Sequence, residues 1–399
     1  MMETSSQLVV FLWPDELNES ARLDQPILGL PLILRMVLSA QRAGFDNIWV
    51  AISEDREVTK ILDGTSVEFK ALDATLDLAG VRRAVFIIGG VLPDAAWFKT
   101  LLETPLKPER LYCDTGVAAV IETEKSLKLF PSTQYGRSEG DLGLIFDREI
   151  ETELLEIDHQ CRILIPSGAD FHEAESWLLE RLIKKSDSFI ARHFHRRISL
   201  AISRHLVSTP ISPNLWTIFS VGIGLSSAPY FLSSRAVDQF TGAILFLIHA
   251  IIDGCDGELA RLRFQESRIG MKLDLWGDNL VHAAVFFCMG IGWWIGDQGK
   301  WPLLVTAIAI AGVLWTAWLV YRKSVFWART GTPSFSSVVR TRSSRISKIM
   351  DALGNRDFIY LVLLLSVFGK VYWILPLTAV GSPVFALVLL YLGRKEEEK

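Results

Sequence analysis

Residues 253–278 read DGCDGELARLRFQESRIGMKLDLWGD, and this stretch decides how the C-terminal half of the chain is organised. Asp253 and Asp256 are three apart and share one face of a helix, while Asp274 and Asp278 are four apart and share a face of the next. A short polar segment joins the two helices, so the two faces can meet. Long apolar runs continue outward on both sides, which places four carboxylates at the end of a membrane hairpin. Grouped at that depth they repel one another and are expensive to desolvate. Divalent cations are the natural remedy, and an all-oxygen ligand set favours Mg²⁺ or Mn²⁺.

Further out, apolar segments long enough to cross a bilayer fall near 215–232, 239–262, 272–296, 301–321, 357–371 and 373–392. The last two are separated by little more than Gly369 and Lys370, which predicts a tight hairpin. Basic residues set the expected orientation. Arg322, Lys323, Arg329, Arg340, Arg342, Arg345, Lys348 and Arg356 lie between the fourth and fifth spans, and Arg263, Arg268 and Lys272 between the second and third. The opposite loops hold only Arg235, Lys300 and Lys370. The aspartate end and both termini are therefore expected on the cytoplasmic side. Residues 186–206 are basic and amphipathic, as in a helix lying in the membrane interface. Trp293, Trp294, Trp301 and Trp373 read as interface anchors.

Composition agrees with a chain that is part soluble, part membrane. Half of its 399 residues are hydrophobic, yet 22% are charged. The net charge of −4 excludes a bulk nucleic-acid partner. Cys113, Cys161, Cys255 and Cys288 show neither metal-ligand spacing nor a disulfide pattern. The polar N-terminus does not read as a signal peptide. Residues 1–185 alternate strands (7–14, 48–53, 84–88, 161–166) with helices (29–44, 93–103, 170–185), which predicts an α/β layer with a largely parallel sheet. The expected division is a soluble domain over 1–185, an interfacial helix over 186–212 and a membrane domain over 213–399.

The stretch at 253–278 fits D-x-x-D-G-x-x-A-R, eight residues, then G-x-x-x-D-x-x-x-D, with Asp253, Asp256, Gly257, Ala260, Arg261, Gly270, Asp274 and Asp278 at the fixed positions. Eight fixed positions match by chance on the order of 10⁻¹⁰ per start point. This is the signature of the CDP-alcohol phosphotransferases, which the sequence resembles at every position. The resemblance implies transfer of a phospho-alcohol (phosphatidyl or phospho-polyol) group from a CDP-alcohol to an acceptor hydroxyl, with release of CMP, in phospholipid or polar-headgroup biosynthesis. Asp253, Asp256 and Asp274 would then be metal ligands for two Mg²⁺ or Mn²⁺ ions. Asp278 would be the general base, with a metal contact as well. Two ions close together suit a pyrophosphate, since they stabilise both the entering and leaving oxygens. Gly257 and Ala260 leave room for a nucleotide, and Arg261 offers its phosphates a planar fork.

Weaker expectations surround this centre. Ser212-Pro213-Asn214 resembles the family's Pro-Asn element near the nucleotide, although Asn214 also suits a helix cap. Arg340 and Arg345, with Arg342, suit the phosphate of a polyol-phosphate acceptor or a lipid headgroup. His249 and His282, one turn beyond the aspartates, read as cavity-lining residues rather than ligands. A homodimer follows from the resemblance alone.

Residues 29–53 and 85–103 resemble sugar-phosphate nucleotidyltransferases. With the membrane module they resemble the inositol-phosphate cytidylyltransferase/di-myo-inositol-phosphate-phosphate synthase fusions. The expected fold is therefore a cytoplasmic α/β nucleotidyltransferase-like domain followed by an all-α six-helix transmembrane domain. The departures point to a silent soluble domain. The phosphate loop of active relatives is Gly-rich, but here it reads LWPDELNESARLDQP, and Gly90 stands where their metal-binding aspartate is expected. Asp94 and Asp114 are the remaining candidates. Two alternatives stay open: a bifunctional enzyme whose soluble domain makes the CDP-alcohol, and a non-catalytic ion-binding scaffold or transporter. The glycines and arginine of the motif speak against the second, since an ion site alone has no use for them.

Overall fold

Strand β1 (Ser6–Trp13) divides its side chains by the two-residue period of the pleat. Leu8, Val10 and Leu12 enter one apolar cluster, and Val9 and Phe11 enter another on the opposite face. A strand buried on both faces belongs in the middle of a three-layer domain, and β1 is an interior strand of a seven-stranded sheet. The computed structural model describes all residues except 1–5, 14–22, 53–55, 72–74, 89, 115–116, 124, 126, 132–143, 148, 156–160, 166–170, 184–186, 188–189, 330–357 and 398–399. The chain forms two compact units, Met1–Leu178 and Leu179–Lys399.

In the first unit the sheet also contains β2 (Asn47–Ile52), β3 (Val67–Lys70), β4 (Val81–Ile88), β5 (Arg110–Asp114), β6 (Ala118–Glu122) and β7 (Glu151–Leu154), in the order β7-β5-β6-β4-β1-β2-β3. Four of its pairings are parallel. Strand β6 is antiparallel to both β4 and β5, so the sheet is mixed. The link from Asp114 to Ala118 is long enough only for a hairpin, since a parallel return needs a crossover. Helices α1 (Leu32–Ala43) and α2 (Ala95–Glu103) cover one face through Ile33, Met36, Val37, Trp97, Phe98 and Leu101. A three-stranded sheet carrying Leu76 and Leu129 covers the other. Arg35 on α1 is buried and donates to the carbonyls of Ile27 and Leu28, and burial pulls its pKa down to about 10. A further helix, α3 (His172–Glu180), adds Ala174 to the first core.

Asp114 is fully buried at the end of β5 and accepts two hydrogen bonds from the Arg162 guanidinium, both 2.8 Å long. Arg162 comes from the short strand Arg162–Leu164, paired with Val91–Pro93. Asp94 caps α2 by accepting from the Ala96 amide. Removing Arg162 strands a charge in the core, which costs about 3–5 kcal/mol. Arg162→Met in the full chain is therefore expected to unfold the first unit at markedly lower temperature, followed by tryptophan fluorescence. Arg162→Met/Asp114→Leu should recover most of the loss, and an equal loss in the two variants would contradict this reading.

The second unit begins with a π-turn (Ala191–His195) that leads into α4 (Arg196–Leu206). There follow α5 (Pro213–Ser227), α6 (Ala236–Leu262), α7 (Arg268–Asp297), α8 (Trp301–Arg329), α9 (Phe358–Val367) and α10 (Ile374–Glu397). Among the described residues five segments are long and apolar enough to cross a membrane: Pro213–Leu232, Ala236–Leu262, Arg268–Asp297, Trp301–Arg322 and Val371–Tyr391. Their outward side chains, such as Ile218, Phe219, Leu304, Leu377 and Val380, are exposed apolar groups of the kind a lipid face needs. The unit is a multi-pass membrane module.

The segment expected as a span over 357–371 contains the ten-residue helix α9, about 15 Å long against the roughly 30 Å of a hydrocarbon core. Gly369 ends it in the left-handed region, at φ +66°. After this turn the expected hairpin partners separate: α9 packs along α6, and α10 packs along α8. Trp293 stacks on Tyr372 with ring centroids 5.1 Å apart, while Trp294, Trp301 and Trp373 are exposed.

Candidate active site

Helix α5 turns a stripe of small and hydroxyl residues, Thr217, Ser220, Gly224 and Ser227, into the unit's interior. Their three- and four-residue spacing keeps them on one side of the helix. A Cβ on Gly224 would lie 2.7 Å from the Val281 side chain and 2.9 Å from the His249 ring, and one on Gly277 would lie 2.6 Å from a Val221 methyl. Only glycine allows α5 to approach both α6 and α7 so closely, which is how helices pack without water between them.

That approach draws the motif together. One carboxylate oxygen from each of Asp253, Asp256 and Asp274 lies within 4.8 Å of the other two. Asp253 and Asp256 are buried, and Asp274 is half-buried. Thr217 donates to Asp256 Oδ2 and the Gly257 amide donates to Asp256 Oδ1, while Ser220 Oγ, which donates to the Thr217 carbonyl at 2.9 Å, lies 3.5 Å from Asp253 Oδ1. The donor set is entirely oxygen and carries concentrated negative charge, which fits a hard divalent cation.

Asp278 lies one turn further along α7, 15% exposed, with His249 Nε2 3.6 Å from its Oδ1. His249 Nδ1 is 2.9 Å from the Ser220 carbonyl. A carbonyl only accepts, so Nδ1 carries a hydrogen and Nε2 is the ring atom turned to Asp278. His282 sits instead among the rings of Phe246, Phe286 and Phe358.

The remaining expected residues fall into three groups. Asn214 and Gly270 meet: a Cβ on Gly270 would lie 2.8 Å from Asn214 Oδ1, so the glycine admits that side chain to the start of α7. Gly257 lies beneath the Arg261 guanidinium, where a Cβ would come 3.2 Å from Nη1. Arg196, Glu258, Glu266 and Asp256 are the charged groups that act on Arg261. Ala260 is half-buried on the same helix. Arg340, Arg342 and Arg345 lie outside the described residues.

Sequence reasoning missed Thr217, Ser220 and Glu258. The first two were hidden in an apolar span, where only their spacing marks them. Glu258 occupies a variable position of the motif, yet it is completely buried and takes hydrogen bonds from Arg196, Ser199 and Ser203.

The sequence pattern of the CDP-alcohol phosphatidyltransferase family matches residues 210–382. The chain is 33% identical over 121 residues to the bifunctional IPC transferase and DIPP synthase of Aquifex aeolicus, a match that covers 30% of this chain and 27% of that protein. It is 30% identical over 122 residues to the phosphatidylinositol phosphate synthase of Mycobacterium tuberculosis, covering 31% of this chain and 54% of that one. The matched segments thus span about a quarter to a half of the relatives' own length. A crystal structure of the M. tuberculosis synthase with CDP-DAG bound is similar at 20% identity and a TM-score of 0.34, covering 49% of this chain and 92% of that one. The matched residues 210–382 contain the whole aspartate motif, and over them the chain is similar to the CDP-alcohol phosphatidyltransferase family.

Proposed function

We propose that this protein is an integral-membrane transferase that moves a phospho-alcohol group from a CDP-alcohol to an acceptor hydroxyl and releases CMP. The observation that carries the reading is the convergence of Asp253, Asp256 and Asp274 within 4.8 Å inside the family segment. Divalent ions held there, two Mg²⁺ or Mn²⁺ in this reading, would neutralise the carboxylates and polarise the donor's pyrophosphate. Arg261 would sit against the phosphates, with Gly257 and Ala260 leaving the α6 backbone open to the nucleotide. Asn214, against Gly270, would border the same space. Asp278 would accept the proton of the acceptor hydroxyl as its oxygen attacks the phosphorus bearing the alcohol. The bond from that phosphorus to the CMP oxygen breaks, and CMP carries the electron pair away.

The donor is a CDP-diacylglycerol or a CDP-polyol, and the acceptor an alcohol or polyol phosphate. Arg340 and Arg345 are assigned to an acceptor phosphate. In the same proposal the module has six crossings, with α9 counted as one, and forms a homodimer. Its aspartate end and the soluble unit face the cytoplasm, as the basic loops favour. Domain limits at 185 and 212 belong to this reading as well.

The soluble unit is proposed to be a nucleotidyltransferase-like fold without activity. Asp114 is neutralised by Arg162 and Asp94 is used as a helix cap, so neither is presented as a cation ligand. This disfavours the bifunctional reading.

The transfer is tested by CMP release from the purified full chain in detergent, with CDP-diacylglycerol or CDP-inositol as donor and glycerol phosphate, inositol phosphate, serine or inositol as acceptor. Release should require Mg²⁺ and one donor–acceptor pair. Asp278→Asn should lower kcat on the order of 10²–10⁴-fold, the usual contribution of a general base. Release unaffected by chelator or by Asp278→Asn would sink the mechanism. For the soluble unit, the full chain given CTP and inositol phosphate should liberate no pyrophosphate above a no-enzyme control. Clear pyrophosphate production would restore the bifunctional alternative.

A further inference from the structure

Glu258 sits one turn inside the aspartate motif, on a face of α6 different from the one that carries Asp253 and Asp256. It is fully buried, and the three donors named above all come from α4. Arg196 Nη1 and Ser199 Oγ donate to Oε1 at 2.8 and 2.7 Å, and Ser203 Oγ donates to Oε2 at 2.7 Å. Positions 196, 199 and 203 form one stripe of a helix, so a single carboxylate grips two turns of α4. A buried carboxylate is tolerated only with this degree of satisfaction.

The grip extends in both directions. Upstream, Arg196 Nε donates to Asp187 at 2.9 Å, which ties in the segment leading to α4. Gly254, one turn before Glu258, faces the same two side chains: a Cβ there would make ordinary contact, 3.7 Å from Arg196 Nη1 and 3.8 Å from Ser199 Cβ. Downstream, Arg263 donates to the carbonyls of Leu206, Val207, Thr209 and Ile211, the open end of α4 and the loop leaving it. Ser212 follows at once as the N-cap of α5. Five residues later Thr217 donates to Asp256.

We infer that Glu258 is a positioning residue: with Arg263, it fixes α4 and its exit loop to α6, and so sets where α5 begins and where Thr217 meets Asp256. This rests on the transfer reading for its consequence in catalysis but not for its geometry. Glu258 touches no reacting atom in this account and acts through the Thr217–Asp256 contact.

The test uses the full chain in detergent and compares Glu258→Gln, Thr217→Val and the double variant. Each single substitution should lower kcat/KM by about tenfold, the scale of a lost hydrogen bond to a charged group. Because both act through one contact, the double variant should fall within about twofold of the more impaired single. Hydrogen exchange of the amides at 207–217 should rise in Glu258→Gln, while exchange in the β1–β4 region stays unchanged. Multiplied losses, about a hundredfold in the double variant, or unchanged exchange at 207–217, would overturn the inference. Should Glu258→Gln fail to accumulate, Ser203→Ala removes one of the three donors and should show the same pattern at smaller amplitude. If the wild type releases no CMP with any pair, the transfer reading fails and the exchange measurement alone decides the brace.

Discussion

Three carboxylates held within 4.8 Å of one another at the end of a membrane hairpin are the constraint to which the second unit answers. Their repulsion grows as water is excluded, so the helices that carry them must be held together by other means. The glycines at 224 and 277 let α5 pack against α6 and α7, and the hydroxyls of Thr217 and Ser220 reach two of the carboxylates. A cation is the remaining partner that the all-oxygen set calls for.

Buried acid is handled in two ways. In the first unit Asp114 is matched one to one by the Arg162 guanidinium, a closed pair that needs no ion. In the membrane unit Glu258 is closed too, by Arg196 and two serines. Asp253, Asp256 and Asp274 are instead gathered as like charges. Closed pairs fix structure, and a gathered trio invites a divalent ligand. That contrast is what supports the proposal of chemistry in one unit and of an inactive role for the other.

The aspartate cluster was legible because helical periodicity converts spacings of three and four into shared faces. The alternation of strands and helices over 1–185 was legible for a similar reason, since a period of two and a period of 3.6 look different. Pairing direction was harder to read: β6 turns antiparallel because its link to β5 is short, and link length is a weak signal when strand ends are uncertain. Among the described residues the segment expected as a span at 357–371 holds a helix over Phe358–Val367 that Gly369 closes, and hydropathy says nothing of where a glycine stops a helix. In the sequence Thr217 and Ser220 lie within an apolar run, and Glu258 stands at a variable position of the motif. Their roles depend on which helix lies opposite, and periodicity within one helix does not contain that. His249 was placed beside the aspartates by spacing, but only the fold shows that Ser220 orients its ring toward Asp278.

The most direct test of the central claim is a Mn²⁺ titration of the purified full chain, followed by the loss of the free-ion paramagnetic resonance signal. The account predicts saturable binding that Asp256→Asn weakens by at least about tenfold, the scale seen when a metal site loses a supporting group. Binding of equal strength in the wild type and in Asp256→Asn would contradict it.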